Sequence, residues 1–215
     1  MRNDMEKYEL VDMLKFDRAD YFSYFMSVGT TIEFTAKVDV TKMLERCKKD
    51  KLNFQAVMLY QLYKVVNTIE NFKLDVLEDK LIKWDKIVPT FSSMNKNSKL
   101  FCTLYADMQE NWVDYNKQYQ KTVENYADST TIVPQGNLPE NVFNVSCIPW
   151  LHFEHFSSNS KAIENKVIKM ITFGKYEQID GCFILPLTIQ ISHAIADGYH
   201  VALFFEKLQE ELNLA

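Results

Sequence analysis

The stretch Gln190–His200, QISHAIADGYH, lies at a change of period. Ahead of it, Ile184–Ser192 reads ILPLTIQIS, apolar and β-branched enough to predict a buried strand that ends at His193. Behind it, an amphipathic helix predicted over Gly198 to Leu212 starts with Val201, Leu203 and Phe204 as its first apolar positions. Asp197 stands where its carboxylate can accept the unpaired backbone N–H groups of that helix's first turn. Gly198 relieves the backbone at the tight junction.

The rest of the chain alternates in the same manner. Arg18 to Ser27 predicts a short aromatic helix, and Thr31 to Val38 alternates like a half-buried strand. Two helices follow, one starting near Asp39 or Thr41 and one from Asn53 with Phe54, Val57, Met58, Leu62 and Val65 on a broad face. Lys73 to Leu77 and Lys80 to Trp84 form a predicted hairpin about Glu78 and Asp79. Extended stretches at Thr90 to Met94 and Lys99 to Ala106 precede a helix at Glu110 to Tyr126, whose Trp112, Tyr115, Tyr119, Val123 and Tyr126 are expected to pack on the sheet. Strands at Val142 to Ile148, Val167 to Phe173 and Cys182 to His193 complete the set. The fold class is α/β or α+β: a mixed β-sheet flanked by helices.

Composition narrows the function. With 215 residues, 47% hydrophobic and 25% charged, the chain is globular and reads as one domain over residues 1–215, with no linker, repeat or low-complexity tract. The net charge of −5 excludes an extended phosphate-tracking surface, so no nucleic-acid partner is expected. No apolar run reaches the roughly 18 residues of a membrane span, and the start, MRNDMEKYELVDMLKF, lacks the apolar core of a secretory signal. A cytoplasmic location is the expectation. Cys47, Cys102, Cys147 and Cys182 are widely spaced with no CxxC pair, which suits reduced thiols better than a metal site or a nucleophile.

A histidine at a strand end beside a sharp turn can face a cleft, and a neutral imidazole there suits a general base. The same string has a plainer reading, in which His193 and Asp197 only satisfy local hydrogen bonds. A third reading takes His193, Asp197 and His200 as metal ligands at i, i+4 and i+7. That spacing converges only on a continuous helix, which the strand before His193 and Gly198 within the motif both oppose.

Four further stretches bear on the choice. QISHAIADGYH resembles the histidine motif of the chloramphenicol acetyltransferase family: a His, three residues, Asp-Gly, an aromatic and His. PENVFNVSCIPWLHF (139–153) resembles that family's asparagine–serine–proline–tryptophan segment, and ITFGKY (171–176) its threonine–lysine–tyrosine strand. FDRADYF (16–22) resembles its arginine-bearing N-terminal helix, and VPQGNLPEN (133–141) the loop before its serine strand. All occur in the family's order.

The resemblance implies a trimeric CoA-dependent acyltransferase fold, with active sites between subunits and His193 of one subunit facing a pocket built largely by its neighbour. His193 would be the general base that deprotonates a substrate hydroxyl for direct attack on acetyl-CoA, without an acyl-enzyme or a metal. Ser146 would stabilise the tetrahedral oxyanion, Thr172 would support it through an ordered water, and Asp197 would pair with Arg18 to hold the His193 turn. For acetyl-CoA, Trp150 and Tyr176 would supply surfaces and Lys175 a phosphate contact. The acceptor pocket would include Phe25, Ile32, Phe101, Val133, Asn144 and Phe156, with Thr90 and Ser92 as polar points. The implied function is O-acetylation of chloramphenicol.

Departures from the pattern fall on recognition more than on the chemistry. Ser192 stands where a second histidine is common, Asn53 with Lys51 nearby where a lysine often meets a CoA phosphate, and Val133 where a phenylalanine is frequent. An acyltransferase of the same fold acting on another hydroxyl or amine is therefore the alternative. An idle relative serving in binding or assembly is a third, opposed by the intact set of His193, Ser146, Thr172, Asp197 and Arg18.

Overall fold

A computed structural model describes residues 7–158 and 166–214. Residues 1–6, 159–165 and 215 of the domain expected over 1–215, and with them part of the start read above, lie outside the described residues. In chain order the elements are β1 (Tyr8–Leu10), α1 (Ala19–Val28), β2 (Thr31–Asp39), α2 (Thr41–Asp50), α3 (Phe54–Val66), a 3₁₀ turn (Glu70–Lys73), β3 (Leu74–Leu77), β4 (Lys80–Trp84), β5 (Val88–Met94) and β6 (Phe101–Tyr105). They continue with α4 (Trp112–Asn125), β7 (Val142–Cys147), β8 (Lys169–Phe173), β9 (Glu177–Ile179), β10 (Cys182–Ser192) and α5 (Gly198–Leu214).

The larger sheet has the order β2-β10-β8-β7-β5-β6, with β9 also paired to β10. β7 runs parallel to both β5 and β8, while the other pairs are antiparallel, so the sheet is mixed as expected. Successive side chains of a strand face opposite sides. Leu185, Leu187, Ile189 and Ile191 of β10 and Ile171 and Phe173 of β8 thus join the core formed with the helices, where each is at most 2% exposed. The other side carries Thr188, Gln190, Thr172, Met170, Asn144 and Ser146, a polar face. There Gln190 Nε2 donates to Glu33 Oε1 at 2.8 Å, and the Thr35 and Thr188 hydroxyls lie 2.7 Å apart.

The hairpin forms as read, closed by Glu78 and Asp79 with φ of 49° and 59°. Two left-handed residues in a two-residue loop match the twist of the paired strands. β1 adds a third strand, on β4. α4 differs from expectation: its aromatic face is divided, with Tyr115 against Tyr60 of α3 (ring centroids 6.0 Å apart) and Tyr119 against Phe91 of β5 (4.8 Å).

One ion pair ties the small sheet to the large one. Lys169 of β8 is buried, its Nζ donates to Asp75 Oδ2 of β3 at 2.6 Å, and Asp75 also accepts Trp84 Nε1–H at 3.3 Å. Burial pulls the Lys169 ammonium below its usual range, against the opposing pull of Asp75. Asp75→Ala would strand that charge. The expected loss is about 3–5 kcal/mol at pH 7, measured by urea unfolding. The deficit should shrink as pH rises toward 10, because the unfolded chain then binds more protons than the folded one. A pH-independent loss would show that the charge is not what matters.

Candidate active site

β10, an interior strand between β2 and β8, delivers His193 to one end of the large sheet. The last two residues of this run are gripped from both sides: Ser192 N–H donates to Ile168 O at 3.0 Å and His193 N–H to Thr30 O at 2.9 Å. Ser192 is itself buried and accepts Ile168 N–H on its hydroxyl at 2.8 Å, so it closes the strand end. Ile195 and Ala196 N–H groups then turn back to Ser192 O, at 3.2 and 3.4 Å.

Within that turn His193 Nδ1 lies 2.9 Å from Ala196 O. A carbonyl oxygen only accepts, so Nδ1 holds the proton of the neutral ring and Nε2 keeps a lone pair. Phe25 of α1 stacks on the imidazole, with centroids 3.8 Å apart and planes 26° from parallel. Arg18, just ahead of α1, donates from Nη1 to Asp197 Oδ2 at 2.7 Å and reaches His193 O with Nη2 at 3.5 Å. Asp197 Oδ1 accepts Tyr199 N–H at 3.1 Å, the helix cap read from the sequence. Burial alone would raise the Asp197 carboxyl, but hydrogen bonds from Arg18 and His200 outweigh it and hold the group below the usual carboxylate range.

Ser146 lies elsewhere. Across the sheet, Ser146 on β7 is in register with Thr172 on β8, and Thr172 with Thr188 on β10. Two strand spacings and five residues along β10 put Ser146 about 19 Å from His193 in the same chain. Around Ser146 gather Thr90, whose hydroxyl donates to Asn144 Oδ1 at 2.8 Å, and Ser92, whose hydroxyl accepts Cys147 N–H at 3.4 Å. Phe156 lines a small space over Thr172 and Thr188. A cavity of about 650 Å³ opens beside Asn144, walled also by Trp84, Leu138, Val142, Val167 and Lys169.

The remaining acceptor candidates divide between these places. Phe25 and Ile32 belong with His193, since Ile32 is in register with Ile191. Phe101, at the start of β6, is exposed, and Val133 is half-buried in the loop that pairs with β6 through Thr103 N–H to Ile132 O at 2.7 Å.

Trp150, Lys175 and Tyr176 form a third group. Lys175 N–H donates to Leu151 O at 2.9 Å, which brings the segment after β8 against the one after β7. The approach requires Gly174, where a Cβ would sit 2.6 Å from Leu151 O. Trp150 is 64% exposed and Lys175 is exposed, whereas Tyr176 packs between Phe54 (5.4 Å) and Phe183 (5.7 Å) as a core-edge aromatic. Asn53 is committed to capping α3, its Oδ1 accepting Ala56 N–H at 3.1 Å. All four cysteines are free thiols. Burial raises Cys147, next to Ser146, to about 12, which leaves it no thiolate near neutral pH.

Two contacts were invisible to residue-type reasoning: the Ala196 carbonyl, since any residue supplies one, and the stacking of Phe25 on His193, which depends on how α1 docks. Among the described residues, no group of three His, Cys, Asp or Glu side chains could hold a metal ion, and no helix is long and apolar enough to cross a membrane.

Comparison with known proteins places this geometry in context. A family model described as chloramphenicol acetyltransferase matches residues 6–209. A chloramphenicol acetyltransferase of Clostridium perfringens is 32% identical over 208 residues, covering 96% of this chain and 99% of that one. One from Bacillus pumilus is 31% identical over 193 residues, covering 89% and 88% respectively. A solved chloramphenicol acetyltransferase structure superposes with a TM-score of 0.83 at 18% identity, covering 96% of this chain and all of that one.

The Asp197 pair has a testable acid signature. A carboxyl held below its ordinary pKa contributes stability that is present above about pH 4 and lost as pH falls further. Asp197→Asn is therefore expected to lower the urea midpoint at pH 7, with the deficit fading by pH 3. An equal deficit at both pH values would assign the effect to packing instead.

Proposed function

The chain belongs to the chloramphenicol acetyltransferase family, and from this we propose that it transfers the acetyl group of acetyl-CoA to a hydroxyl of chloramphenicol, inactivating the antibiotic in the cytoplasm. The observation that carries the mechanism is the His193 Nδ1 contact with Ala196 O, which leaves Nε2 as the proton acceptor. Nε2 takes the proton of the acceptor hydroxyl as that oxygen attacks the thioester carbonyl carbon. The tetrahedral oxyanion accepts a hydrogen bond from the Ser146 hydroxyl, with Thr172 in support through an ordered water. Collapse breaks the carbon–sulfur bond, and the CoA thiolate recovers the proton from the His193 imidazolium. Holding both substrates together makes the attack effectively unimolecular, so no acyl-enzyme is needed.

Arg18 and Asp197 act on geometry alone, keeping the turn that carries His193. Trp150, Lys175 and Tyr176 receive acetyl-CoA, with exposed Trp150 free to stack and Lys175 free to meet phosphate. Asn144, Thr90, Ser92 and Phe156 line the acceptor side near Ser146, extended by the cavity beside Asn144. Phe101 and Val133 form its outer rim, and Phe25 and Ile32 approach with the base.

The separation of His193 from Ser146 supports a site made between copies, in a homotrimer whose His193 enters a neighbour's pocket. The edge strand β2 exposes Phe34, and α1 beside His193 exposes Tyr21, Tyr24 and Val28, apolar surface suited to such an interface.

Thiol release from acetyl-CoA tests the reading directly. Release is expected only with chloramphenicol present, falling about 10²-fold or more in His193→Ala and about 10²-fold in Ser146→Ala. Chloramphenicol-independent behaviour, or full activity in His193→Ala, would sink it. Co-expressing the two inactive chains tests the shared site: random trimers should regain about a quarter of wild-type activity, since each intact site needs one unmutated contribution from each of two subunits. No recovery in trimers shown to contain both chains would place base and hydroxyl in one subunit.

A further inference from the structure

We propose that His200 is a positioning residue for the His193 base, acting through Asp197; this rests on the acetyl-transfer reading above. His200 is the third residue of α5, and its side chain is only 15% exposed. Its Nδ1 lies 2.9 Å from Asp197 Oδ1, and Asp197 N–H points at the same nitrogen from 3.3 Å. One ring nitrogen cannot serve both contacts; the carboxylate oxygen only accepts, and the shorter, charge-assisted contact prevails, so Nδ1 carries a proton and donates it to Oδ1.

The consequence lies in how Asp197 is held. Its side chain is 37% exposed, so water competes for both oxygens and the carboxylate can swivel unless each is fixed. Tyr199 N–H and His200 Nδ1–H fix Oδ1, which leaves Oδ2 a single direction, toward Arg18 Nη1 at 2.7 Å. Arg18 Nη2 in turn reaches the His193 carbonyl. His200 is thus the shielded end of a relay, His200–Asp197–Arg18, that sets the backbone carrying the base.

Asparagine and glutamine separate positioning from packing. His200→Asn puts an amide donor near the Nδ1 location, whereas the longer His200→Gln places its donor near Nε2. Two measurements on folded variants decide: kcat and KM in the thiol-release assay, and the imidazole ¹⁵N signals of His193, one of only four histidines. His200→Gln and His200→Ala are expected to lower kcat about tenfold with KM for both substrates little changed. They should also average the His193 nitrogen signals, while His200→Asn retains most of the rate and the distinct Nδ1–H form. Equal kcat and equal His193 signals in Asn and Gln variants would overturn the proposal. Should wild type release no thiol, the acetyl-transfer reading fails on its own, and the His193 signals still decide whether His200 positions that ring.

Discussion

β10 is the strand on which the remaining structure depends. It is hydrogen-bonded along most of its length, to β2 from Ile184↔Asp39 through Ser192↔Thr31 and to β8 and β9 on the other side. Its eight residues from Leu185 to Ser192 are buried, apolar on the helix side and polar on the other. A strand held between two neighbours cannot slip in register without turning every side chain to the wrong face. His193 inherits that certainty. Its amide bonds to the start of β2 through Thr30, Ser192 bonds to the approach to β8, and the turn that follows has little freedom left.

The polar face of β10 explains how chemistry and stability coexist on one sheet. Thr188 and Gln190 are nearly inaccessible, yet their groups are satisfied by Thr35, Glu33 and Ser158, so burial there leaves no stranded donors. The same face carries Thr172 and, one strand further, Ser146. The hydroxyl row and the imidazole therefore belong to one strand system but to different ends of it. Such a layout makes the sheet a rigid ruler between the two groups, which the proposed assembly between copies would bring together.

Much of this was legible in the residues. Long apolar or alternating runs such as Ile184–Ser192 and Thr31–Val38 carry enough period to be read, and the Asp197 cap is a local effect of a short acidic side chain ahead of a helix. β1 and β9 were not legible, because three residues hold no period and their pairing is decided by strands elsewhere in the chain. The helix at Trp112–Asn125 shows the limit from another side. Its aromatic spacing gave the buried face correctly but not the partner, and Tyr115 meets α3 instead of the sheet. At the candidate site, residue types pointed to His193 and Asp197 and the family resemblance to Arg18, and the fold does bring the three together. The separation of Ser146, the burial of Tyr176 against Phe54 and Phe183, and the stacking of Phe25 all depend on long-range docking that no local pattern encodes.

The contact between His193 Nδ1 and the main chain of Ala196 has an evolutionary side. Many imidazole bases owe their tautomer to a neighbouring carboxylate, which a single codon change can delete. Here the acceptor is a peptide carbonyl, which every amino acid provides. Point mutation can distort this turn, but it cannot remove the acceptor atom. The proton's address on the ring is thus heritable with the loop's shape, and a lineage can vary the surrounding side chains without putting that tautomer at risk.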